Sequence, residues 1–382
     1  PVFRHFQNLK TAEHTMKALG LGVVGSGVIA IQAIFEHMQL GDLSGRVYLE
    51  AVCDPVPGRA QAAAEKYNIK KYFQSLDEML EDPDVDIVSL CSPISLHYSQ
   101  GLQAIRAGKS VHFNKTMALT TAEATELIEE AAKRDVKLVA SPGMMLWPTN
   151  RKIRKAILQN ELGKVTWAMA GVEGVMFYHL NEETRKAGGI VPAWYYKQPS
   201  GGPQYDSTAY ALHSMTGVLG PAKRVSCFSG QIMKSFQFGE QAIESEVDDN
   251  IMMMLDFGNS VFGIIYSALK GEPFNGFTPA VYGTEGSALN GKIKDAPMFG
   301  QPHEMFLFPN ITPEHLKLAQ PHVFADVMQL VDAVREDKPT VVSAEHARHV
   351  IEIIEAGWES ARTGKAVGLT TTFQTTSLEE LA

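Results

Sequence analysis

One stretch near the start, Leu21-Gly22-Val23-Val24-Gly25-Ser26-Gly27-Val28-Ile29-Ala30, restricts the fold more than any other. A short apolar run reads as a buried strand and ends in a tight glycine turn. An apolar helix then opens at Val28-Ile29-Ala30-Ile31 and runs on through Ala33-Ile34-Phe35. Strand, G-x-G-x-x-A and helix in that order make the first half of a dinucleotide-binding βαβ unit. Gly25 permits the sharp turn. Gly27 has no Cβ to keep a pyrophosphate from the backbone, and Ala30 lets helix and strand pack closely. The helix start offers free N–H groups and a positive dipole end to phosphates, so Gly25, Ser26, Gly27, Val28 and Ile29 are expected to hold the cofactor.

At 382 residues the chain is too long for one ordinary core, and two domains are expected. With 45% hydrophobic and 20% charged residues, the composition is that of a soluble globular protein. A net charge of −9 supplies no basic footprint, which argues against nucleic acid and anionic membranes as partners. Cys53, Cys91 and Cys227 stand apart, with no CxxC pair and no disulfide framework, which suits a reducing, cytoplasmic setting. Residues 1–19 carry Arg4, His5, Lys10, Glu13, His14 and Lys17 without an apolar h-region. They read as an arm before the first strand, either frayed or packed on a neighbouring subunit.

The next strand is expected at Val47–Asp54 and ends in an acid. A carboxylate there accepts hydrogen bonds from the adenosine ribose hydroxyls and repels a 2′-phosphate, giving a preference for NAD. Asp54 lies 29 residues beyond Gly25, and the loop Gly41-Asp42-Leu43-Ser44-Gly45 accounts for the excess over the usual spacing. Arg59 is near enough to soften the preference, so NADP stays possible. A helix at Arg59–Tyr67, a strand at Lys71–Phe73 and a capping-box start at Ser75-Leu76-Asp77-Glu78 follow. The alternation continues with a strand at Val85–Cys91, a helix at Tyr98–Ala107 stopped by Gly108, and a strand at Ser110–Phe113. A helix at Thr121–Arg134, capped by Thr120, and a strand at Val136–Ala140 complete it. Strict alternation means a parallel, doubly wound sheet whose ligands lie at the carboxyl ends of the strands, where Gly25, Asp54, Ser92 and Lys115 fall.

Beyond about residue 145 the rhythm changes. After a helix at Asn150–Asn160, strands are expected at Val165–Glu173, Val225–Ile232, Asn250–Phe257, Ser260–Ala268 and Ala280–Gly283. Gly258-Asn259 marks a hairpin, and the whole reads as an open antiparallel sheet before helices at Pro321–Arg335 and Ser343–Thr363. An open sheet with one uncovered face needs a partner, so a homodimer or homotetramer through that face is expected. The organisation is an arm (1–19), an NAD(P)-binding Rossmann domain (20–142), a substrate-binding and oligomerisation domain (143–368) and a tail (369–382).

With these landmarks in order, the chain resembles the Gfo/Idh/MocA family of glucose-fructose oxidoreductase, inositol dehydrogenase and rhizopine catabolism proteins. The resemblance spans roughly residues 20 to 368. It rests on the Gly25 turn, Ala51-Val52-Cys53-Asp54, Cys91-Ser92-Pro93 with His97, and Ala107-Gly108-Lys109-Ser110-Val111 leading to Asn114-Lys115-Thr116. Gly201-Gly202, Asp206 and Tyr210, then Tyr282-Gly283-Thr284-Glu285-Gly286-Ser287, and Glu359-Ser360-Ala361-Arg362-Thr363-Gly364 continue it. The family usually has Glu-Lys-Pro where Asn114-Lys115-Thr116 stands, and a His where Tyr210 stands. Tyrosine at that place is similar to the branch with glucose-fructose oxidoreductase and dimeric dihydrodiol dehydrogenases. The resemblance implies that Ser92, Pro93, His97 and Asn114 lie by the nicotinamide end, with Lys115 touching both cofactor and substrate.

Oxidising a secondary alcohol requires removal of the O–H proton as hydride leaves carbon, and a lysine desolvated beside a cationic nicotinamide could accept it. Lys115, Asp206 and Tyr210 are therefore the expected catalytic group. Asp206 and Tyr210 are one helical turn apart and are expected to face one cleft. Asp206 would hold Lys115 and accept a substrate hydroxyl, Tyr210 would donate or relay the proton, and His213, a turn further on, would reach another hydroxyl. Trp194, in the aromatic run Pro192-Ala193-Trp194-Tyr195-Tyr196, is expected to wall a sugar or cyclitol ring. No metal site is expected: the twelve histidines form no H-x-x-x-H pair and the cysteines are scattered. The expected activity is NAD(P)-dependent oxidation or reduction of a sugar, cyclitol or polyol. A redox-neutral NAD-dependent glycoside hydrolase or isomerase is the alternative on the same fold, and a non-catalytic nucleotide-sensing regulator is a second.

Overall fold

The computed structural model describes residues 17–173, 193–238, 241–268 and 276–381. Most of the arm, and Pro192 of the aromatic run, lie outside the described residues. Two sheets organise the molecule. The first has six parallel strands in the order β3-β2-β1-β4-β5-β6: β1 Leu19–Val24, β2 Val47–Cys53, β3 Lys71–Phe73, β4 Ile87–Leu90, β5 Ser110–Phe113 and β6 Leu138–Ala140. The side chains of β1, β2, β4 and β5 are nearly all buried, as strands covered on both faces must be, whereas the edge strand β3 is partly exposed. β1 and β4 adjoin although two strands and three helices separate them in the chain, so the strand order reverses between them and opens a crevice at their carboxyl ends.

The helix after β1 is α-helical at Val28–Ala30, π-helical at Ile31–Phe35 and α-helical again at Glu36–Met38, with Ala30, Ala33, Ile34 and Phe35 buried against the sheet. The Thr121–Arg134 helix starts on a complete capping box, Thr120 accepting from Glu123 N–H while Glu123 reaches back. Ser75 behaves otherwise: its helix, Leu76–Leu80, begins there, but its side chain caps nothing.

The second sheet has nine strands in the order β16-β15-β14-β13-β7-β12-β11-β8-β17, with β14 Gly286–Leu289, β15 Lys292–Ile293 and β16 Ala296–Pro297 towards one edge and β17 Val367–Gly368 at the other, while β9 Ser235–Phe238 and β10 Gln241–Glu244 pair separately. Its centre is β7 Val165–Glu173, β8 Arg224–Gly230, β11 Asn250–Gly258, β12 Val261–Ala268 and β13 Ala280–Gly283. The Gly258-Asn259 hairpin forms as expected. The sheet is not wholly antiparallel, because β12 pairs with β7 in parallel. β8 is antiparallel to β11 and β11 to β12, so β7 and β8 run the same way, and the chain between them crosses the sheet through the Ala209–Leu219 helix.

Along β11, Ile251, Met253 and Leu255 point to the core, packing with Val350, Ile353 and Ile354 of the Ala344–Thr363 helix. Met252 and Met254 point outward beside Phe228, Phe262 and Trp167, all exposed. The Pro321–Glu336 helix belongs to the later half of the chain but packs on the first sheet, burying Phe324, Val327, Met328 and Val331 with Val23, Val52 and Ile87. It brings its first turn to the carboxyl edge of that sheet.

Candidate active site

At the carboxyl end of β1, Gly25 takes φ +90, and a Cβ there would stand 2.9 Å from the Cys91 carbonyl oxygen, so only glycine fits. Gly27 is different. Its backbone is extended (φ −80, ψ −172), and nothing lies within 4 Å of where a Cβ would project. The first intrahelical bond at this end runs from Ile31 N–H to Gly27 C=O at 3.1 Å, so the amides before it stand ahead of the helical ladder. An open cradle facing a helix start fits the pyrophosphate of a dinucleotide.

Ser26 has a more specific task than touching phosphate. Its N–H and hydroxyl both donate to Asp54 Oδ2, at 3.0 and 2.9 Å, while Val56 N–H donates to Oδ1 at 3.0 Å. Arg59 Nη1 is 3.7 Å from the same Oδ2. Ser26 thus aims the buried Asp54 carboxylate, and Arg59 shares it.

His97 is buried between two loops of the crevice. Nδ1 lies 2.7 Å from the Thr116 carbonyl oxygen and Nε2 2.9 Å from that of Ser92. Burial lowers its pKa, Thr116 and Ser92 oppose the shift, and Lys115 adds to it. Both partners are acceptors, so the neutral ring donates to one at a time; either way it ties the β4 loop to the loop carrying Lys115. Ser92 Oγ donates to Gln100 Oε1 at 2.5 Å, Pro93 is exposed, and Asn114 Oδ1 accepts from Lys115 N–H at 2.7 Å.

Lys115, just beyond β5, forms an ion pair with Asp206, which lies on the π-helical segment Gln204–Thr208 that leads into the Ala209–Leu219 helix. Lys115 Nζ stands 5.1 Å from the centroid of the Tyr210 ring, whose face stacks on Phe277 at 4.7 Å. The Tyr210 hydroxyl is 3.4 Å from His322 Nε2. Lys115, Asp206 and Tyr210 are therefore brought together from both halves of the chain.

His213 is not brought with them. It is buried, its ring 4.6 Å from that of His346, and burial with His349 pushes its pKa down to about 3. Three positions beyond Tyr210 a helical residue is turned by roughly 60° and advanced by about 4.5 Å, enough here to face the Ala344–Thr363 helix instead of the cleft.

Trp194 sits on the short helical turn Ala193–Tyr196, edge-on to Tyr195 at 5.8 Å. Nothing local in the sequence singles out Tyr195 beyond its being aromatic. It is fully buried, and burial together with the Asp206 carboxylate holds its phenol well above its ordinary pKa. Phe277, His322 and Trp147, whose ring is 5.7 Å from that of His322, were equally silent, because nothing local marks them.

Two family models match. Residues 19–141 fit the oxidoreductase family's NAD-binding Rossmann fold, and residues 154–369 fit its C-terminal alpha/beta domain. The trans-1,2-dihydrobenzene-1,2-diol dehydrogenase of Bos taurus is 25% identical over 306 residues, covering 77% of this chain and 84% of its own. The D-glucoside 3-dehydrogenase of Escherichia coli K12 is 29% identical over 263 residues, covering 66% and 70%. A levoglucosan dehydrogenase solved with NADH superposes with a TM-score of 0.75 at 17% identity, over 93% of this chain and all of that one. With both of its domains matched in order, the chain belongs to the Gfo/Idh/MocA family of NAD-binding oxidoreductases.

Proposed function

We propose that this protein moves a hydride between NAD(P) and a secondary alcohol or ketone of a sugar, cyclitol or related polyol. The observation that carries the reading is the meeting of Lys115 with Asp206 and Tyr210 at the carboxyl edge of the dinucleotide-binding sheet. Relatives whose names specify a dihydrodiol, a D-glucoside and 1,5-anhydro-D-fructose support a vicinal diol or carbohydrate as substrate. Bound nicotinamide supplies the two-electron acceptor or donor.

The chain's own groups do the rest. The ammonium of Lys115, neutralised by Asp206, binds the reacting oxygen and favours negative charge there. Tyr210 presents a phenol to the same oxygen, and Trp194 offers an aromatic face to ring C–H groups. Asp54 accepts from ribose hydroxyls and favours NAD, while Arg59 at its side leaves NADP admissible. The division into arm, Rossmann domain (20–142), substrate domain (143–368) and tail is part of the same proposal.

The outward face of the second sheet supports a homodimer or homotetramer: Phe228 is 79% and Met254 55% exposed, in one patch with Met252, Phe262 and Trp167. Cys53, Cys91 and Cys227 are buried thiols, in keeping with a cytoplasmic setting, and no described helix is long and apolar enough to cross a membrane.

Incubating the protein with NAD or NADP and a panel of sugars, cyclitols and polyols, while following reduced cofactor and product together, tests the activity. Equal amounts of both support it. Conversion of sugar without net reduced cofactor, or cofactor binding with neither product, refutes it in favour of a redox-neutral enzyme or a sensor.

A further inference from the structure

His322 stands in the cleft without a role in the chemistry described so far, and it is held there firmly. It is the second residue of the Pro321–Glu336 helix. One turn on, buried Asp326 accepts from Ser141 Oγ at 2.6 Å and from Gly143 N–H at 3.1 Å, at the end of β6. Between them, Phe324 is stacked by His37 at 4.7 Å and His315 at 4.9 Å. The first turn of this helix is thus clamped to the first sheet, and His322 Nε2 is delivered 3.4 Å from the Tyr210 hydroxyl. That distance is long for a hydrogen bond, as catalytic contacts in a free enzyme often are before substrate tightens them. Burial, the Lys115 charge and His37 hold the His322 pKa at about 4, so the ring is neutral with a lone pair to offer at ordinary pH.

Lys115 as an ammonium paired with Asp206 has no vacancy for a proton. Tyr210 as a phenol can accept one only by passing its own on. We propose that His322 is the proton partner of Tyr210, its Nε2 taking the phenol hydrogen as the phenol oxygen takes the hydrogen of the substrate hydroxyl. This rests on the dehydrogenase reading above. In the oxidative direction the C–H pair leaves as hydride to an oxidised nicotinamide, and the O–H pair becomes the second C–O bond. The proton goes to Tyr210, and the phenol's own proton goes to His322, whose imidazolium releases it to solvent. Reduction runs the same path backwards. Lys115 stays charged throughout and opposes a second positive charge on His322, which favours rapid return of the imidazolium to neutrality. His322 acts through Tyr210 and does not touch the substrate.

Two measurements test this, one free of turnover. Long-range 1H–15N NMR of the protein without cofactor should show His322 neutral with its proton on Nδ1, and Tyr210→Phe should shift the Nε2 resonance. A proton on Nε2, or no response to Tyr210→Phe, overturns the proposal. In turnover, His322→Gln should lower kcat about 100-fold with KM within about twofold, the range for one proton-transfer group. It should also remove the acid limb of the kcat–pH profile. Adding Tyr210→Phe to it should cost little more, since both remove one path. Additive losses, or a loss confined to KM, overturn the proposal. If Lys115→Ala abolishes turnover while His322→Gln leaves it unchanged, this relay fails and the site reading stands. If Lys115→Ala retains turnover, the site reading fails first.

Discussion

Two glycines of one turn should respond differently to the same methyl group. At Gly27 the space a Cβ would fill is empty and the backbone is in a region any residue adopts. Alanine there loses some N-cap preference, about 0.5 kcal/mol, and restricts the unfolded chain by about the same. Gly27→Ala should therefore unfold at nearly the wild-type temperature without cofactor. At Gly25 the φ of +90 strains an L-residue by roughly 1–2 kcal/mol, and the Cβ meets backbone at 2.9 and 3.0 Å, so the turn itself must shift. Gly25→Ala should lose 2 kcal/mol or more, roughly several degrees in Tm.

Cofactor titration should show the converse weighting. Gly27→Ala fills the cradle proposed for the pyrophosphate and should weaken NAD binding by a factor of ten to a hundred, about 1.4 to 2.8 kcal/mol, with stability spared. Calorimetric NAD titration beside thermal unfolding of both variants reads this directly. Wild-type NAD affinity in a normally folded Gly27→Ala protein would refute the placement of the pyrophosphate.

Other consequences are as direct. Asp54→Ala removes the carboxylate and frees Arg59 from it, so the ratio of NADP to NAD affinity should rise at least tenfold; an unchanged ratio in paired titrations would deny Asp54 its discriminating role. Acid should destabilise the fold well above the carboxylate range. His112 and His213 are held near 3, and His322 and His349 near 4, below the 6.5 of an unfolded histidine. Between these values the unfolded chain binds more protons, and stability falls by about 1.4 kcal/mol per histidine for each pH unit lost. Asp326, raised to about 7, works the opposite way, but the four histidines outweigh it. Urea midpoints should therefore drop steeply from pH 6.5 towards 4, and a flat profile would contradict the burial of these rings as neutral groups. Finally, Met254→Lys with Phe228→Lys should lower the mass seen by light scattering to that of a monomer without loss of fold; an unchanged mass, whether oligomeric or monomeric in the wild type, would remove this face as the interface.

Local patterns were the legible part of the chain. The helices at Arg59–Tyr67 and Thr121–Arg134 and the strands at Ser110–Phe113, Val165–Glu173 and Ala280–Gly283 have the bounds that apolar spacing and caps indicate. Thr120 succeeds as a capping box because Glu123 closes it, whereas the same pattern at Ser75 starts a helix without the bond. The parallel β7–β12 pair was not legible, since its partners are nearly a hundred residues apart and neither strand carries a mark of direction.

The site divides in the same way. Gly25, Asp54 and Lys115 follow from motifs at strand ends. Ideal helical spacing puts Asp206, Tyr210 and His213 along one face, but Asp206 lies on a π-helical segment and His213 turns to His346. His322 reaches Tyr210 only because a helix more than a hundred residues later returns to the first sheet, which depends on packing rather than on any local pattern.

The central claim is that Lys115, reached by Asp206 and Tyr210, works on the reacting oxygen, while the glycine turn holds the cofactor independently. Measuring turnover and NAD affinity of Lys115→Ala together tests it most directly. Turnover should fall by at least about a thousandfold with NAD affinity within a few-fold of wild type. Turnover near the wild-type rate, in a variant that binds NAD normally, would contradict it.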